Sequence, residues 1–236
     1  MEKILSVEDD EKMANIIKLM LESRGYAVTS AKSICEASKE MVSQSFDLIL
    51  LDMMLPDGDG TDFCNQIREY SFCPIIFVSC LSDKEAKIKA LEIGGDDYVT
   101  KPIDFEELFV RIQVNLRRAN QYNLGKSKTS EERFPKLLIK KNKREVWITD
   151  ELDNMVEQLV LSPTEYLLLI YFATNEDELL LYEDLYRNIW NAEDFGDFRT
   201  VMVHVSNLRK KLKDFGINYI HTVRGAGYIF SIKEED

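Results

Sequence analysis

Apolar residues in the first half of the chain fall into two alternating rhythms. Short runs at Ile4–Val7, Tyr26–Thr29, Phe46–Leu51, Pro74–Val78 and Tyr98–Thr100 are mostly apolar, with no polar residue at every second place. Such runs predict strands buried on both faces of a parallel sheet. Between them lie longer stretches with helical spacing: Glu11–Ser23, Ile34–Ser43, a segment about Asp62–Glu69, Asp83–Ile93 and Phe105–Arg118. Met13, Ile16, Ile17, Met20 and Leu21 are expected to share one face of the first helix. Gly25 stops that helix, and Gly94-Gly95 stops the fourth. Repeated strand–helix alternation predicts an α/β fold, a doubly wound five-stranded parallel sheet with helices on both faces.

The rhythm breaks at 120–133, NQYNLGKSKTSEER, a polar stretch without apolar period that predicts a linker. Beyond it, LLIKK, EVWIT and EQLVL predict short antiparallel strands. In LSPTEYLLLIYFA, Ser162 is placed to cap a helix, with Pro163 first inside it and Glu165 three residues after the cap. Helices follow at Tyr182–Trp190 and Arg199–Phe215, and YIHTVRGAGYIFSI predicts a closing hairpin about Gly225-Ala226-Gly227. The expected division is therefore 1–119, a linker at 120–133, and an α+β domain at 134–236.

Composition narrows the classes. Apolar content of 45% and charged content of 31% are those of a soluble globular chain. No run approaches the roughly 18 apolar residues that span a bilayer. MEKILSVEDD has no apolar signal region before its acidic cluster, so a cytoplasmic location is expected. Cys35, Cys64, Cys73 and Cys80 show no CxxC spacing and read as buried, reduced thiols. Residues 1–120 carry 14 Lys/Arg and 22 Asp/Glu, net −8, in a chain of net −12. Such a chain is a poor general binder of polyanions, so any nucleic-acid contact must come from local clustering.

Asp52 stands where the third apolar run ends, before the turn formers Pro56, Gly58 and Gly60. Open α/β sheets bind ligands at that end of their strands. Glu8, Asp9 and Asp10 follow the first strand at the same end, beside the third. Converging carboxylates repel one another unless a cation joins them, and a hard divalent ion such as Mg²⁺ prefers oxygen ligands. Ser79 ends the fourth strand and Lys101 follows the fifth. A hydroxyl and an ammonium aimed at that pocket suit a phosphoryl group on Asp52.

The motifs VED, DLILLDMMLPDGDG, PIIFVS and GGDDYVTKP together resemble the receiver domain of two-component response regulators over about residues 2–119. The resemblance implies a phosphoacceptor, Asp52, that takes its phosphoryl group from a sensor histidine kinase. It implies Mg²⁺ held by Glu8, Asp9, Asp52 and the backbone carbonyl of Met54, with Ser79 as switch hydroxyl and Lys101 as counter-ion. Tyr98 fits the aromatic that turns inward on phosphorylation, and Lys101-Pro102 matches a cis bond. It further implies a homodimer formed on phosphorylation through Lys87, Asp96, Asp97, Glu107, Arg111 and Arg118. These would pair Lys87 with Glu107, Asp97 with Arg111 and Asp96 with Arg118 across a two-fold axis. Cys80 departs from the smaller residue usual at its place. The alternative reading of an aspartyl-phosphate phosphatase wants a second Asp where Met54 stands, so no enzyme is expected. The other alternative, a regulator that binds DNA without phosphorylation, stays open.

Between Arg199 and Arg224 the basic residues are Arg199, Arg209, Lys210, Lys211, Lys213 and Arg224, against the single acid Asp214. Basic residues grouped on a helix and a following β tip are an electrostatic footprint for phosphates. The order of strands, three helices and hairpin points to a winged helix-turn-helix. LSPTEYLLL, RTVMVHVSNLRKKL and TVRGAGYIF resemble the OmpR/PhoB-type effector domain over about residues 134–232. That resemblance implies a recognition helix at Arg199–Lys213 in the major groove of double-stranded promoter DNA and a wing at Thr222–Gly227. Arg199, Thr200, Arg209, Lys210 and Thr222 would contact phosphates, Arg224 the minor groove, and His204 would face the DNA. Asn207 could pair with adenine. The loop Trp190–Phe198 would touch RNA polymerase.

Overall fold

The computed structural model describes residues 1–80, 84–121, 131–190 and 198–233. They form two compact units, Met1–Ala119 and Asn120–Asp236.

The first unit alternates strands and helices: β1 (Lys3–Val7), α1 (Glu11–Ser23), β2 (Ala27–Ala31), α2 (Ile34–Ser43) and β3 (Leu48–Leu51). The two-residue strands β4 (Met54–Leu55) and β5 (Gly58–Asp59) follow, then α3 (Gly60–Arg68), β6 (Ile75–Ser79), α4 (Lys84–Glu92), β7 (Asp97–Thr100) and α5 (Phe105–Gln121). The five long strands pair in parallel in the order β2-β1-β3-β6-β7. Alternate residues feed two cores. Leu5, Val7, Ile49, Leu51, Ile75 and Phe77 pack with Ala37 of α2 and Phe63, Cys64 and Ile67 of α3. Ile4, Leu48, Leu50, Ile76, Val78 and Val99 pack with Ile17 and Leu21 of α1 and Leu108, Phe109 and Ile112 of α5. Both faces are covered, which is why the strand runs carry no alternation.

Details depart from the sequence pattern. The buried stripe of α1 is Ala14, Ile17 and Leu21, while Ile16 is exposed. Strand β3 starts at Leu48 rather than Phe46, because the Asp47 carboxylate accepts a hydrogen bond from the Lys3 amide at 2.8 Å before the ladder begins. Helix caps are local: Asp10 for α1, Ser33 for α2 and Asp59 for α3.

The second unit opens with an antiparallel sheet, β8 (Glu131–Phe134), β9 (Leu137–Lys140), β10 (Glu145–Thr149) and β11 (Met155–Gln158). Strand β8 begins inside the stretch expected to be linker and α5 enters its start; 122–130 lie outside the described residues. The run EQLVL leaves the sheet after Gln158, because Leu159 and Leu161 turn into the core. Helix α6 (Pro163–Thr174) starts on a full capping box: Ser162 Oγ accepts from the Glu165 amide, and Glu165 accepts from the Ser162 amide at 2.7 Å. Then come β12 (Leu179–Leu181), α7 (Tyr182–Trp190), α8 (Arg199–Lys213), β13 (Ile220–Val223) and β14 (Gly227–Phe230). The last three strands form a sheet in the order β12-β14-β13. Strand β12 lacked any turn signal of its own, and its pairing depends on Gly227, where a Cβ would lie 1.9 Å from the Leu180 carbonyl oxygen. One core joins the three helices to both sheets.

Candidate functional site

The strand order places the ends of β1 and β3 side by side, with β6 and β7 next to them. Ladder-like bonds continue past the strands and fix the residues beyond: Glu8 donates to Ala31, Asp52 to Val7 and Lys101 to Ser79. The carboxylates of Glu8, Asp9 and Asp52 each bring an oxygen within 4.8 Å of the others. Glu8 and Asp52 are buried, and Asp9 is exposed. Lys101 Nζ lies 2.5 Å from Asp52 Oδ2 and 2.7 Å from Glu8 Oε2. Burial raises the Glu8 carboxyl above its ordinary range, against the lowering pull of Lys101. Burial also opposes the charge on Lys101, but its bonds to Asp52 and Glu8 outweigh that and keep it an ammonium. The set is oxygen-only, compact and open to solvent through Asp9. It fits a hard cation such as Mg²⁺.

Neighbouring groups frame the pocket. Met54 donates its amide to Asp52 Oδ1 at 3.1 Å, turning the chain back over the carboxylate. Gly60 comes so close that a Cβ there would lie 2.0 Å from the Asp52 carbonyl oxygen, so this place admits only glycine. Ser79 is buried at the end of β6, and the Lys101-Pro102 peptide is cis. The Tyr98 ring is already inward, in the core with Phe77 and Phe63. Asp10 serves as the α1 cap, with its oxygen on the Lys12 and Met13 amides. The thiols are free, and only Cys64 is fully buried; Cys35 and Cys80 are exposed and Cys73 is half-buried. Cys80 is therefore not the buried small residue that sequence suggested.

The charges expected on a dimer face are mostly engaged within the chain. Asp96 is fully buried against Arg68, at 2.7 Å, and also accepts from the Ile75 amide at 3.0 Å. It precedes β7, where the last residue of α3 reaches under the sheet edge. Arg118 is buried too, donating to Asn115. Both members of the expected pair between Asp96 and Arg118 of a second copy are thus engaged within this chain. Asp97 is buried as well, with Arg111 of the same chain at 2.7 Å, and Arg111 also reaches Glu107 at 2.6 Å. Asp97 and then Glu107 hold the Arg111 guanidinium well above its ordinary range. Lys87 is half-buried on α4.

In the second unit, α8 buries Val201, Val205, Leu208 and Leu212. Its opposite face exposes Arg199, Met202, Ser206, Arg209, Lys210 and Lys213, spaced by three and four residues. Two expected DNA contacts fall on the buried side. Thr200 is covered, and His204 is wholly buried with its ring 5.5 Å from that of Trp190. Both neighbour the Val201–Val205 stripe, so helical phase turns them inward. Asn207 is half-buried at the edge of the exposed face. Sequence reasoning passed over Met202, whose signal was its helical spacing from Arg199 and Ser206. Arg209 donates to Thr222 Oγ1 at 2.9 Å, which ties α8 to the strand leading into the wing. Arg224 is exposed at the wing tip, where Gly225 turns with φ of 76°. Of the expected loop Trp190–Phe198, residues 191–197 lie outside the described residues.

Lys211 leaves the basic footprint. Its Nζ is 2.6 Å from the buried Glu165 carboxylate and 3.1 Å from the Val160 carbonyl. Lys211→Met is expected to lower stability by about 1–3 kcal/mol, because Glu165 would keep a buried charge with one partner fewer. The salt dependence of DNA binding should keep its slope. Urea unfolding and anisotropy titrations across salt concentrations check both, and a slope shallower by about one unit would return Lys211 to the phosphate contacts.

Residues 4–113 match the family described as the response regulator receiver domain. Residues 156–230 match the C-terminal domain of transcriptional regulatory proteins. The response regulator ArlR of Staphylococcus saprophyticus is 37% identical over 230 residues, spanning 97% of this chain and 99% of that protein. The transcriptional regulatory protein ResD of Bacillus subtilis is 34% identical, spanning 99% and 97%. Among solved structures, a RitR mutant superposes with a TM-score of 0.81 at 25% identity, covering 98% of this chain and 99% of that one. No described helix is long and apolar enough to cross a membrane. Similar along nearly its whole length to such relatives, and built from the same two domains, the chain belongs to the two-component response regulators of the OmpR/PhoB type, DNA-binding regulators of transcription.

Proposed function

We propose that this protein is cytoplasmic, that a sensor histidine kinase phosphorylates it on Asp52, and that the modified chain dimerises and binds double-stranded promoter DNA. One observation carries the reading: three carboxylates and the Lys101 ammonium meet at one end of the parallel sheet. Residues 1–119 are the receiver, 120–133 the connection and 134–236 the effector. Glu8, Asp9, Asp52 and the Met54 carbonyl would hold Mg²⁺, which when bound supplies positive charge for the incoming phosphoryl oxygens. Asp52 presents the accepting oxygen. Lys101 gives up part of its contact with the carboxylates to meet the phosphoryl group, and Ser79 supplies a hydroxyl. Tyr98, beside Phe77 in the core, takes the inward position of the switch. The relatives are transcription regulators, and Met54 stands where aspartyl-phosphate phosphatases need an acid, so we read a regulator rather than a hydrolase.

On DNA, Arg199, Arg209, Lys210 and Thr222 meet phosphates and Arg224 the minor groove. Asn207, Ser206 and Met202 face base edges, an apolar Met suiting a thymine methyl. The dimer face uses Lys87, Glu107, Asp97 and Arg111, with Arg111 exchanging an internal carboxylate for one from the second copy. The 190–198 segment meets RNA polymerase. Incubation with acetyl phosphate and Mg²⁺ tests the whole chain of events. Phos-tag electrophoresis should show one shifted species, absent in Asp52→Asn; sedimentation should show a dimer, and binding to genomic promoter fragments should tighten. A shifted Asp52→Asn band would move the acceptor elsewhere, and a labelled protein that stays monomeric would remove the dimer step.

A further inference from the structure

Beyond Asp52, the loop from Met53 to Gly60 has, among the described residues, one polar tether that reaches well outside itself. Within the loop, Met54 donates to Asp52 Oδ1, the Gly60 amide donates to the Met53 carbonyl at 2.8 Å, and β4 pairs with β5. Asp59 turns to the next helix, taking the Thr61 amide and hydroxyl at 2.8 Å. Asp57 reaches the other way, to a helix more than twenty residues back in the chain. Its Oδ1 accepts from the Ile34 amide and its Oδ2 from the Cys35 amide, both at 2.9 Å. Those are the first two amides of α2, which have no partner within their own helix. The other cap, Ser33, takes the Glu36 amide. Gly58 lies against Ile34, where a Cβ would come 2.9 Å from Cδ1. The two backbone amides hold the Asp57 carboxyl below its ordinary range, as expected for a carboxylate that accepts twice.

We infer that Asp57 is a positioning residue for the metal site, clamping the loop that carries Met54 to the N-terminus of α2. The inference rests on the proposed reading, in which the Met54 carbonyl is a metal ligand beside Glu8, Asp9 and Asp52. A loop held in its binding conformation has its ordering cost met on folding, not on metal binding. Cutting the tether moves that cost to the binding step. The carboxylate itself is exposed, touches neither Glu8 nor Asp52, and leaves the ligand set unchanged on substitution.

Isothermal calorimetry of Mg²⁺ with the full, unphosphorylated chain tests this without any activity. Asp57→Ala should weaken Mg²⁺ by about three- to tenfold, the range of a lost helix cap expressed as affinity. Asp57→Asn keeps one accepting oxygen and should lose only about twofold. Ser33→Ala is the control: it loosens the same helix end without touching the loop, and its Mg²⁺ affinity should equal that of wild type. Unfolding in EDTA records the stability of each variant. Unchanged affinity in Asp57→Ala overturns the inference, as does an equal loss in Ser33→Ala, which would place the effect in helix stability. If wild type itself takes up no Mg²⁺, the metal assignment fails first and the inference falls with it.

Discussion

Asp9→Ala is expected to lower acetyl-phosphate labelling of Asp52 by more than about 100-fold at millimolar Mg²⁺, while Asp10→Ala leaves it nearly unchanged. Loss of outer partners of a metal site already costs about 10–100-fold, and a direct ligand should exceed that. The two residues are neighbours in sequence and similar in charge, yet they serve different parts of the molecule. Asp9 brings an oxygen into the cluster with Glu8 and Asp52. Lys101 already engages those other two, so Asp9 is the carboxylate that the ammonium does not take up. It is also the exposed member, where a hydrated ion would enter. Asp10 points away, onto the Lys12 and Met13 amides, and its loss should appear as a weaker α1 start. Phos-tag gels of the two variants beside wild type decide the matter. Equal labelling of Asp9→Ala and wild type would sink the metal assignment, and equal loss in both variants would point to bulk negative charge rather than to a ligand.

The pocket was legible in the sequence because each of its members sits at a strand end, and strand ends are marked by where an apolar run stops. Asp52 after LILL, Lys101 after YVT and Glu8 after ILSV needed only the parallel order of strands to be brought together. Helix α6 was equally plain, since cap, proline and glutamate lie within four residues. What escaped was whatever depends on partners distant in sequence. Asp96 and Asp97 look alike beside GG, and nothing local tells that Arg68 buries one while Arg111 covers the other. Lys211 and Lys210 are adjacent lysines, and only the packing of α8 against α6 turns one of them to Glu165. The family resemblance turns Thr200 and His204 toward DNA, but the phase of α8 is fixed by Val201, Val205 and Leu208, which carry both inward. Strand β8 had no apolar alternation to announce it, because three of the four residues of EERF are charged and the strand sits at a sheet edge.

Arg68→Met is expected to destabilise the 1–119 unit by about 3–5 kcal/mol, the cost of leaving one member of a buried ion pair alone. That is a large part of the roughly 5–15 kcal/mol that holds an ordinary domain together. Every branch of the guanidinium is used. Nε donates to the Gly94 carbonyl at 2.8 Å, Nη1 to the Cys73 carbonyl at 2.6 Å, and Nη2 to Asp96 at 2.7 Å. One side chain thus joins the end of α3 to the entry of β6 and to the turn before β7. Asp96, with no exposed surface, would keep only the Ile75 amide among the bonds described above. Arg68→Met with Asp96→Asn should recover part of the loss, since a neutral amide costs less to bury than an unpaired carboxylate. Urea unfolding of the two single variants and the double variant measures this, and a loss below about 1 kcal/mol for Arg68→Met would show that the pair contributes little beyond its burial. The same geometry decides how the dimer face is to be tested. Asp96→Ala would abolish dimerisation simply by loosening β6 and β7, so a monomeric Asp96 variant carries no information about the interface. Glu107→Lys is the cleaner probe: Glu107 is exposed, and Arg111 still has Asp97 when it is gone.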